Sequence, residues 1–420
     1  MNKNLQKQLS KARHASYEFN QLSTSQKNKV LVDLANNLWN NRALIIKANH
    51  KDFADLPSNY PLTDRLQLTE PRIKSICDSL RAVVKLKDPI GEVLEKKKRP
   101  SGITVSKVRV PIGVLGVIYE ARPNVTIEIF SLSLKSGNAI ILKGSRDAYN
   151  SNLALVKYIK QSLKQNNLDS EGVQLIDPFN RDLTKQLLHA HDYIDIVIPR
   201  GSDKLIQFVR NEASVPVIET GAGVCHTYIE KTADMEKAVQ VSINAKVRRC
   251  TVCNALDCLV IDKLALNKFL PTFAKEIQKH QVIIYADPAS YKVLAKTYPE
   301  KLLQQAKPQH YGKEFLAMKL SIKTVDGFDE AVNFIQEKTS GHSEAIMTTN
   351  KKKAGKFTKI IDAAAVYVNT STAFTDGFEF GLGAEVGIST QKLHARGPMG
   401  LQELTTYKWL ISSNGQIRSS

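Results

Sequence analysis

Several things are scarce or missing in this 420-residue chain. No apolar run approaches the roughly 18–20 residues that span a bilayer, so a helical membrane protein is not expected. The opening MNKNLQKQLSKARHASYEF is polar and mixed in charge. It has no apolar segment of the kind that marks a secretory signal, and a cytoplasmic location is the expectation. Aromatic residues make up only 7%. The two dense basic runs, EKKKR at 95–99 and KKK at 351–353, carry no interleaved aromatics to stack on bases. A nucleic-acid role therefore rests on the net charge of +18 alone, and both runs read as solvated loops or helix ends. Cysteine is also sparse. Five residues, Cys77, Cys225, Cys250, Cys253 and Cys258, make an odd number, and a disulfide framework is not expected in a chain of this size. No G-x-G-x-x-G follows the first strand of the α/β region; GAG at 221–223 is too short to count.

What is present is an alternation of two periods. Residues 23–40, STSQKNKVLVDLANNLWN, open with a Ser/Thr–Gln capping pattern, and Val30, Leu31, Leu34 and Leu38 then share one helical face. The first ~90 residues read as mainly helical by the same periodicity. From about 104 the texture changes. ITVSKVRV alternates as a half-buried strand does. VLGVIY, NAIILK, VQLI, IDIVIP and VPVIE follow as strands, separated by helical stretches near 125–135, 147–165, 181–189 and 202–211. Strands alternating with helices in this way predict a parallel sheet covered on both faces. A second alternating block runs from about 224 to 400. The tail LTTYKWLISSNGQIRSS reads as a strand pair turning at Asn414-Gly415. The fold class is α/β with two parallel-sheet domains. The boundaries expected are 1–92 with 113–222 for a dinucleotide-binding domain and 223–402 for a catalytic domain. Residues 93–112 with 403–420 are expected to form a β element that joins subunits.

The stretch RRCTVCNALD (248–257) holds the most reactive chemistry. A C-x-x-C can be a redox pair, half a metal site, or one nucleophile beside a second thiol. Zinc takes four ligands, and no second C-x-x-C or H-x-x-x-H exists, although Cys225-His226 stands elsewhere in the chain. No metal is expected. A redox pair normally opens a helix just after a strand. Here the pair follows a helix, 234–247, and precedes the strand LDCLVID. Cys77, Cys225 and Cys258 are read as buried thiols that behave as small apolar groups. A nucleophilic thiolate in the 248–255 loop needs nearby positive charge, which Arg248 and Arg249 offer, and an oxyanion donor. For a dinucleotide, LKGS (142–145) and PRGSDKLIQ (199–207) stand at strand ends. In the second, Gly201-Ser202 would open a helix toward a phosphate.

Several blocks are long enough to identify a family. They are VPIGVLGVIYEARPNVT (110–126), LKGSRDAYNSN (142–152), VPVIETGAGVCHTYIE (215–230), NAKVRRCTVCNALD (244–257), GHSEAIMT (341–348) and FGLGAEVGISTQKLHARGPMGLQELTTYKW (380–409). The chain resembles the aldehyde dehydrogenase superfamily over nearly its whole length. EARPNVT together with HARGPMGL resembles the branch of reductases that act on γ-glutamyl phosphate. In that family the nucleophile lies in S-V-C-N-A, here TVCNA, which implies Cys253. Cys250 stands where the family has proline, so a Cys250–Cys253 disulfide that silences the enzyme enters as an expectation. Asp257 stands where glutamate is expected.

The resemblance implies the remaining roles. Asn124 matches the asparagine that donates to the oxyanion. Glu219 matches the general base of aldehyde-oxidising relatives. Lys143 matches the lysine near the adenosine ribose, Gly201 and Ser202 the residues near the pyrophosphate, and Glu314 the glutamate on the nicotinamide ribose. Arg122, Arg396 and Arg249 are candidates for the substrate's two anions, and Glu120 for its ammonium group. His226 and His394 are read as structural. The implied reaction reduces γ-glutamyl 5-phosphate with NADPH to glutamate 5-semialdehyde and phosphate, through a cysteine thioester, in proline biosynthesis. A homo-oligomer and a neighbouring glutamate 5-kinase are implied as partners, with no nucleic acid and no membrane. Two rivals stay open: a phosphate-independent aldehyde-oxidising enzyme that uses the same cysteine, and a nucleic-acid-binding or scaffolding protein.

Overall fold

The first 85 residues spend their apolar side chains on helices that lie against one another. Ser23 starts the helix Thr24–Asn40 with a capping box. Its Oγ accepts the Gln26 N–H, and the Gln26 side chain accepts the Ser23 N–H at 3.0 Å. Val30, Leu31, Leu34 and Leu38 are all fully buried, as the periodicity predicts. Helices Lys3–Phe19, Arg42–Phe53 and Glu70–Lys85 complete the set. The computed structural model describes residues 1–54, 56–57 and 63–418. Residues 55, 58–62 and 419–420, which fall in the expected helical region and tail, lie outside the described residues.

The chain divides into two compact units. The first comprises Met1–Thr220, Gly381–Gly387 and Met399–Ser420. Its main sheet has four parallel strands in the spatial order Val173–Leu175, Ala139–Lys143, Val114–Tyr119, Ile196–Arg200. The two central strands are buried at every position, as continuous apolar runs covered on both faces should be. VPVIE, expected as a fifth strand, makes only an isolated bridge, Val197 to Val217. Pro216 removes one donor from this segment, and a proline there is poorly suited to a full ladder.

Two further expectations change. The basic run at 95–99 is not a loop: Val93–Lys98 is a strand, antiparallel to Thr104–Pro111. Its lysines are exposed on the outer strand of a three-stranded sheet. The tail is not a hairpin. Thr405–Ser412 is one strand, paired antiparallel with Thr104–Pro111 over eight residue pairs. Asn414-Gly415 forms a bend, and among the described residues no ladder resumes after it. The sequence turn signal is real, but the strand's partner is distant in sequence. The run at 351–353 does open a helix, Lys351–Ile360.

The second unit comprises Gly221–Phe380 and Ile388–Pro398. It differs from the expected 223–402 block because Gly381–Gly387 and Met399–Gln402 pack with the first unit, where Gly383 stands close to Leu86. Seven strands make a parallel sheet in the order Leu303–Gln305, Ile283–Ala286, Lys319–Val325, Leu256–Asp262, Cys225–Ile229, Ser343–Met347, Ala365–Val368. Helices Met235–Val247 and Leu266–Ile277 pack their buried faces into a core with Leu259, Ile261 and Ile284. Among the described residues no helix is long and apolar enough to cross a membrane.

Ser23→Ala removes one half of the capping box and leaves an orphan N–H. It should cost about 1 kcal/mol, seen as a lower urea midpoint for the first unit; an unchanged midpoint would mean that this cap carries no stability.

Candidate active site

In the first unit the candidate residues collect at the carboxyl ends of parallel strands. Lys143 ends the strand Ala139–Lys143 and is only 6% exposed. Burial pulls its ammonium down to about 8, with Asp177 opposing the shift and Arg146 adding to it. A desolvated cation beside a second cation is a receptive place for phosphate. Ser202 caps the helix Asp203–Glu212, its Oγ accepting the Leu205 N–H. Gly201 precedes it, and a Cβ there would stand 2.5 Å from Glu120 Oε2. The Glu120 carboxylate accepts the Ser202 N–H at 2.7 Å and the Ser202 hydroxyl at 3.2 Å. Glu120, the candidate for the substrate's ammonium group, thus lies at the start of this helix, where the dipole favours an anion.

The loop after Val114–Tyr119 is under strain. Ala121 has φ +39°, a region that a residue with a Cβ rarely enters, and its N–H donates to Ser145 Oγ at 3.3 Å. Arg122 follows, half-buried. Asn124 is the first residue of the helix Asn124–Lys135 and donates one amide hydrogen to Glu128 Oε1 at 2.8 Å. An amide nitrogen has two hydrogens, so this bond leaves one donor. Glu219 faces Arg210, 3.6 Å away.

In the second unit the cysteine loop, 248–255, is the tightest construction described. Cys253 is partly exposed, and its backbone lies directly against Gly223. A Cβ built on Gly223 would come within 1.7 Å of the Cys253 carbonyl oxygen and 2.8 Å of its Cα, so no residue but glycine fits. The Cys225 thiol sits below and donates to the same carbonyl at 3.3 Å. Asn254 donates to the carbonyls of Ala373 and Thr375 at 3.3 and 3.0 Å, and its own carbonyl accepts the Thr372 hydroxyl at 2.8 Å. The Gly223 N–H donates to Glu314 Oε1 at 2.9 Å. The structure thus brings Cys253 and Glu314 together through one glycine. Arg248 and Arg249 are exposed on the same loop. Arg396 pairs with Asp362 at 2.7 Å, and its Nε is buried with no hydrogen-bond partner.

The thiols separate by environment. Burial raises Cys77, drives Cys225 well above its ordinary value and pushes Cys258 up to about 12. These three stay protonated and unreactive. Cys250 and Cys253 alone are partly exposed. His226 is fully buried with Nδ1 against both oxygens of Glu344, and burial holds His342 near 4, so it is neutral. His394 is exposed.

The aldehyde dehydrogenase family matches residues 1–291 and 311–410. The chain belongs to the aldehyde dehydrogenase family. It is 50% identical over 391 residues to gamma-glutamyl phosphate reductase of Bacteroides fragilis, covering 93% of this chain and 94% of that one. It is 49% identical over 418 residues to the protein of the same name from Pelodictyon phaeoclathratiforme, covering 100% of both. The crystal structure of gamma-glutamyl phosphate reductase from Thermotoga maritima superposes with a TM-score of 0.94 at 41% identity, covering 99% of this chain and 100% of that one. An acetylating aldehyde dehydrogenase from Geobacillus thermoglucosidasius, at 15% identity and a TM-score of 0.72, shares the fold.

Sequence reasoning passed over three features here. Gly223 looked like part of a glycine pair too short to matter. Cys225 looked like plain core. Lys246 and Asp257 form a buried ion pair at 3.4 Å beside the loop. A signal for it existed: Lys246 falls on the buried stripe Ala238, Val239, Ser242, Ala245 of its helix, where a charge must find a partner.

Treatment of the native protein with a thiol reagent should modify Cys250 and Cys253 and spare Cys77, Cys225 and Cys258 until denaturant is added, read by mass spectrometry of peptides. Fast native labelling of Cys225 would contradict the packing under Cys253.

Proposed function

We propose that the protein reduces γ-glutamyl 5-phosphate to glutamate 5-semialdehyde and phosphate with NADPH, by way of a thioester on Cys253. The observation that carries this reading is a partly exposed thiol on a fixed turn, in a chain matched end to end by proteins named gamma-glutamyl phosphate reductase. Those relatives supply the substrate, and the turn supplies the nucleophile.

The Cys253 thiolate attacks the acyl phosphate carbonyl. Asn124 and the Cys253 N–H are the donors assigned to the oxyanion, each worth roughly 2.7–4 kcal/mol. Phosphate leaves with the bonding pair, and Cys253 keeps the acyl group as a thioester. NADPH, when bound, supplies the hydride that takes the thioester to the aldehyde level. Lys143, Gly201 and Ser202 are assigned to its ribose and phosphates and Glu314 to its nicotinamide ribose. Arg146, close enough to depress Lys143, is a second cation suited to the extra phosphate that distinguishes NADPH. Arg122, Arg249 and Arg396 are the candidates for the substrate's anions. Of these, Arg396 has a carboxylate partner that the substrate would have to share or replace. Glu219 has no required step here, because phosphate rather than water exchanges with the acyl group.

The assigned division of labour puts the dinucleotide on residues 1–92 and 113–222 and the nucleophile on 223–402. The three-stranded sheet of 93–111 and 405–412 is assigned to subunit contact. It exposes Tyr407, Trp409, Leu410 and Ile411, more apolar surface than an isolated strand normally shows to water. An acyl phosphate hydrolyses readily, so a kinase that makes it nearby, in the same cytoplasm, would be of use.

In the oxidative direction, NADP reduction by glutamate 5-semialdehyde should require phosphate or arsenate. It should be lost by at least about 10³-fold in Cys253→Ala and kept in Cys250→Ala. Turnover without phosphate would move the protein to the aldehyde-oxidising class, and survival of Cys253→Ala would displace the nucleophile. Lys143 is charged below about 8 and neutral above it. The KM for NADP should therefore rise between pH 7 and pH 9 and lose that rise in Lys143→Met; a profile shared by both would remove Lys143 from the cofactor site.

A further inference from the structure

Lys246 and Asp257 stand at the two ends of the cysteine loop. Lys246 is in the last turn of the helix Met235–Val247, and Asp257 is the second residue of the strand Leu256–Asp262. Their side chains meet at 3.4 Å with 0% and 3% exposed. Burial lowers the lysine and pushes the aspartate up to about 6, and the charge of each partner works against the other's shift. An apolar pair of similar volume would serve stability as well or better. The ion pair therefore needs another account, and its third contact supplies one.

Asp257 Oδ1, the oxygen that faces Lys246, also accepts the Phe315 N–H at 3.2 Å. Phe315 follows Glu314, whose carboxylate accepts the Gly223 N–H. Gly223 in turn abuts the Cys253 carbonyl with no space for a side chain. The path closes: Cys253, Asp257 with Lys246, Phe315 and Glu314, Gly223, and back to Cys253. Every link lies within the second unit. The Lys246 ammonium also stands 5.9 Å from the Phe315 ring, which favours a cation near its face.

We infer that the Lys246–Asp257 pair is a positioning device that fixes the segment bearing Glu314 against the turn bearing Cys253. This rests on the proposed function, in which Glu314 holds the nicotinamide ribose and Cys253 the acyl group. The two steps of that reaction ask different things of the ring. Attack by the thiolate needs the cysteine turn, which Cys225 and Asn254 hold through bonds outside the ring. Hydride delivery needs the cofactor-holding glutamate and the thioester in register, and a misplacement of about 1 Å can cost on the order of 10²-fold. Loss of the pair should therefore slow hydride transfer and leave the reactivity of Cys253 in place.

The test uses the full chain with two variants: Asp257→Asn, which keeps the volume and removes the charge, and Lys246→Met combined with Asp257→Leu, which removes both charges and leaves neither orphaned. Two rates are read: NADPH formation in a single turnover with glutamate 5-semialdehyde and phosphate, and alkylation of Cys253 by iodoacetamide in a Cys250→Ala background. The expected result is a fall of about tenfold or more in the first with the second within about twofold of the parent. Wild-type hydride rates in either soluble variant would overturn the inference. So would alkylation that slows in proportion to hydride transfer, since the pair would then act on the turn as a whole. Absence of phosphate-dependent turnover in the wild type would instead sink the proposed function, a separate outcome.

Discussion

The cysteine turn of the second unit depends on one close approach of backbone to backbone. The carbonyl of Cys253 lies where the Cβ of residue 223 would be in any residue but glycine. The cysteine turn cannot move toward the preceding strand, and the Cys225 thiol and the Asn254 amide stop it from moving away. A nucleophile gains most from being held near its attack geometry before the substrate arrives. Here the holding is done by main-chain atoms and short side chains, which have little conformational freedom to lose. The longer charged groups, Lys246, Asp257 and Glu314, act around that fixed point.

Burial is used in two ways in this molecule. At Lys143 it leaves a cation short of solvent, with Asp177 opposing and Arg146 adding to the downward shift. At Lys246 it leaves a cation fully enclosed but answered by a carboxylate. The first lysine ends a strand and the second lies on the buried face of a helix, paired to a carboxylate. The buried thiols show the same logic for a neutral group. Desolvation keeps Cys225 and Cys258 protonated, so reactivity is left to the thiols that water can reach.

Much of the fold was legible because its signals are local. The capping box at Ser23, the apolar stripe of the helix that follows, and the unbroken apolar runs VLGVIY and AIILK each name their own structure. What failed depended on distant partners. Val93–Lys98 carries lysines that argue for a loop, yet its ladder with Thr104–Pro111 makes it a strand. Asn414-Gly415 carries a hairpin signal, yet Thr405–Ser412 had already found its partner some 300 residues earlier, at Thr104–Pro111. The site divides along the same line. Cys253 and Asn124 sit in motif blocks that family resemblance identifies. The bond from Gly223 to Glu314, and the diversion of Glu120 to Ser202, exist only once strands far apart in sequence are aligned.

The two units place their candidate groups at opposite ends of their strands, and the electrostatic consequences differ. In the first, Glu120 to Asn124, Lys143 and Gly201-Ser202 all follow strands, and helices begin after them. Helix N-termini bring free N–H groups and partial positive charge, so anion binding there needs little more than a glycine and a cap. In the second, Gly223, Cys253 and Glu314 all precede strands. The helix that leads into the cysteine loop, Met235–Val247, presents its C-terminus, which carries partial negative charge and disfavours a thiolate. The residues at that end are Lys246, Arg248 and Arg249. Arg248 and Arg249, exposed on the loop, are the cations that oppose the dipole, because the charge of Lys246 is answered by Asp257. In the second unit positive charge near the cysteine turn thus comes from side chains, whereas in the first the helix starts themselves supply it.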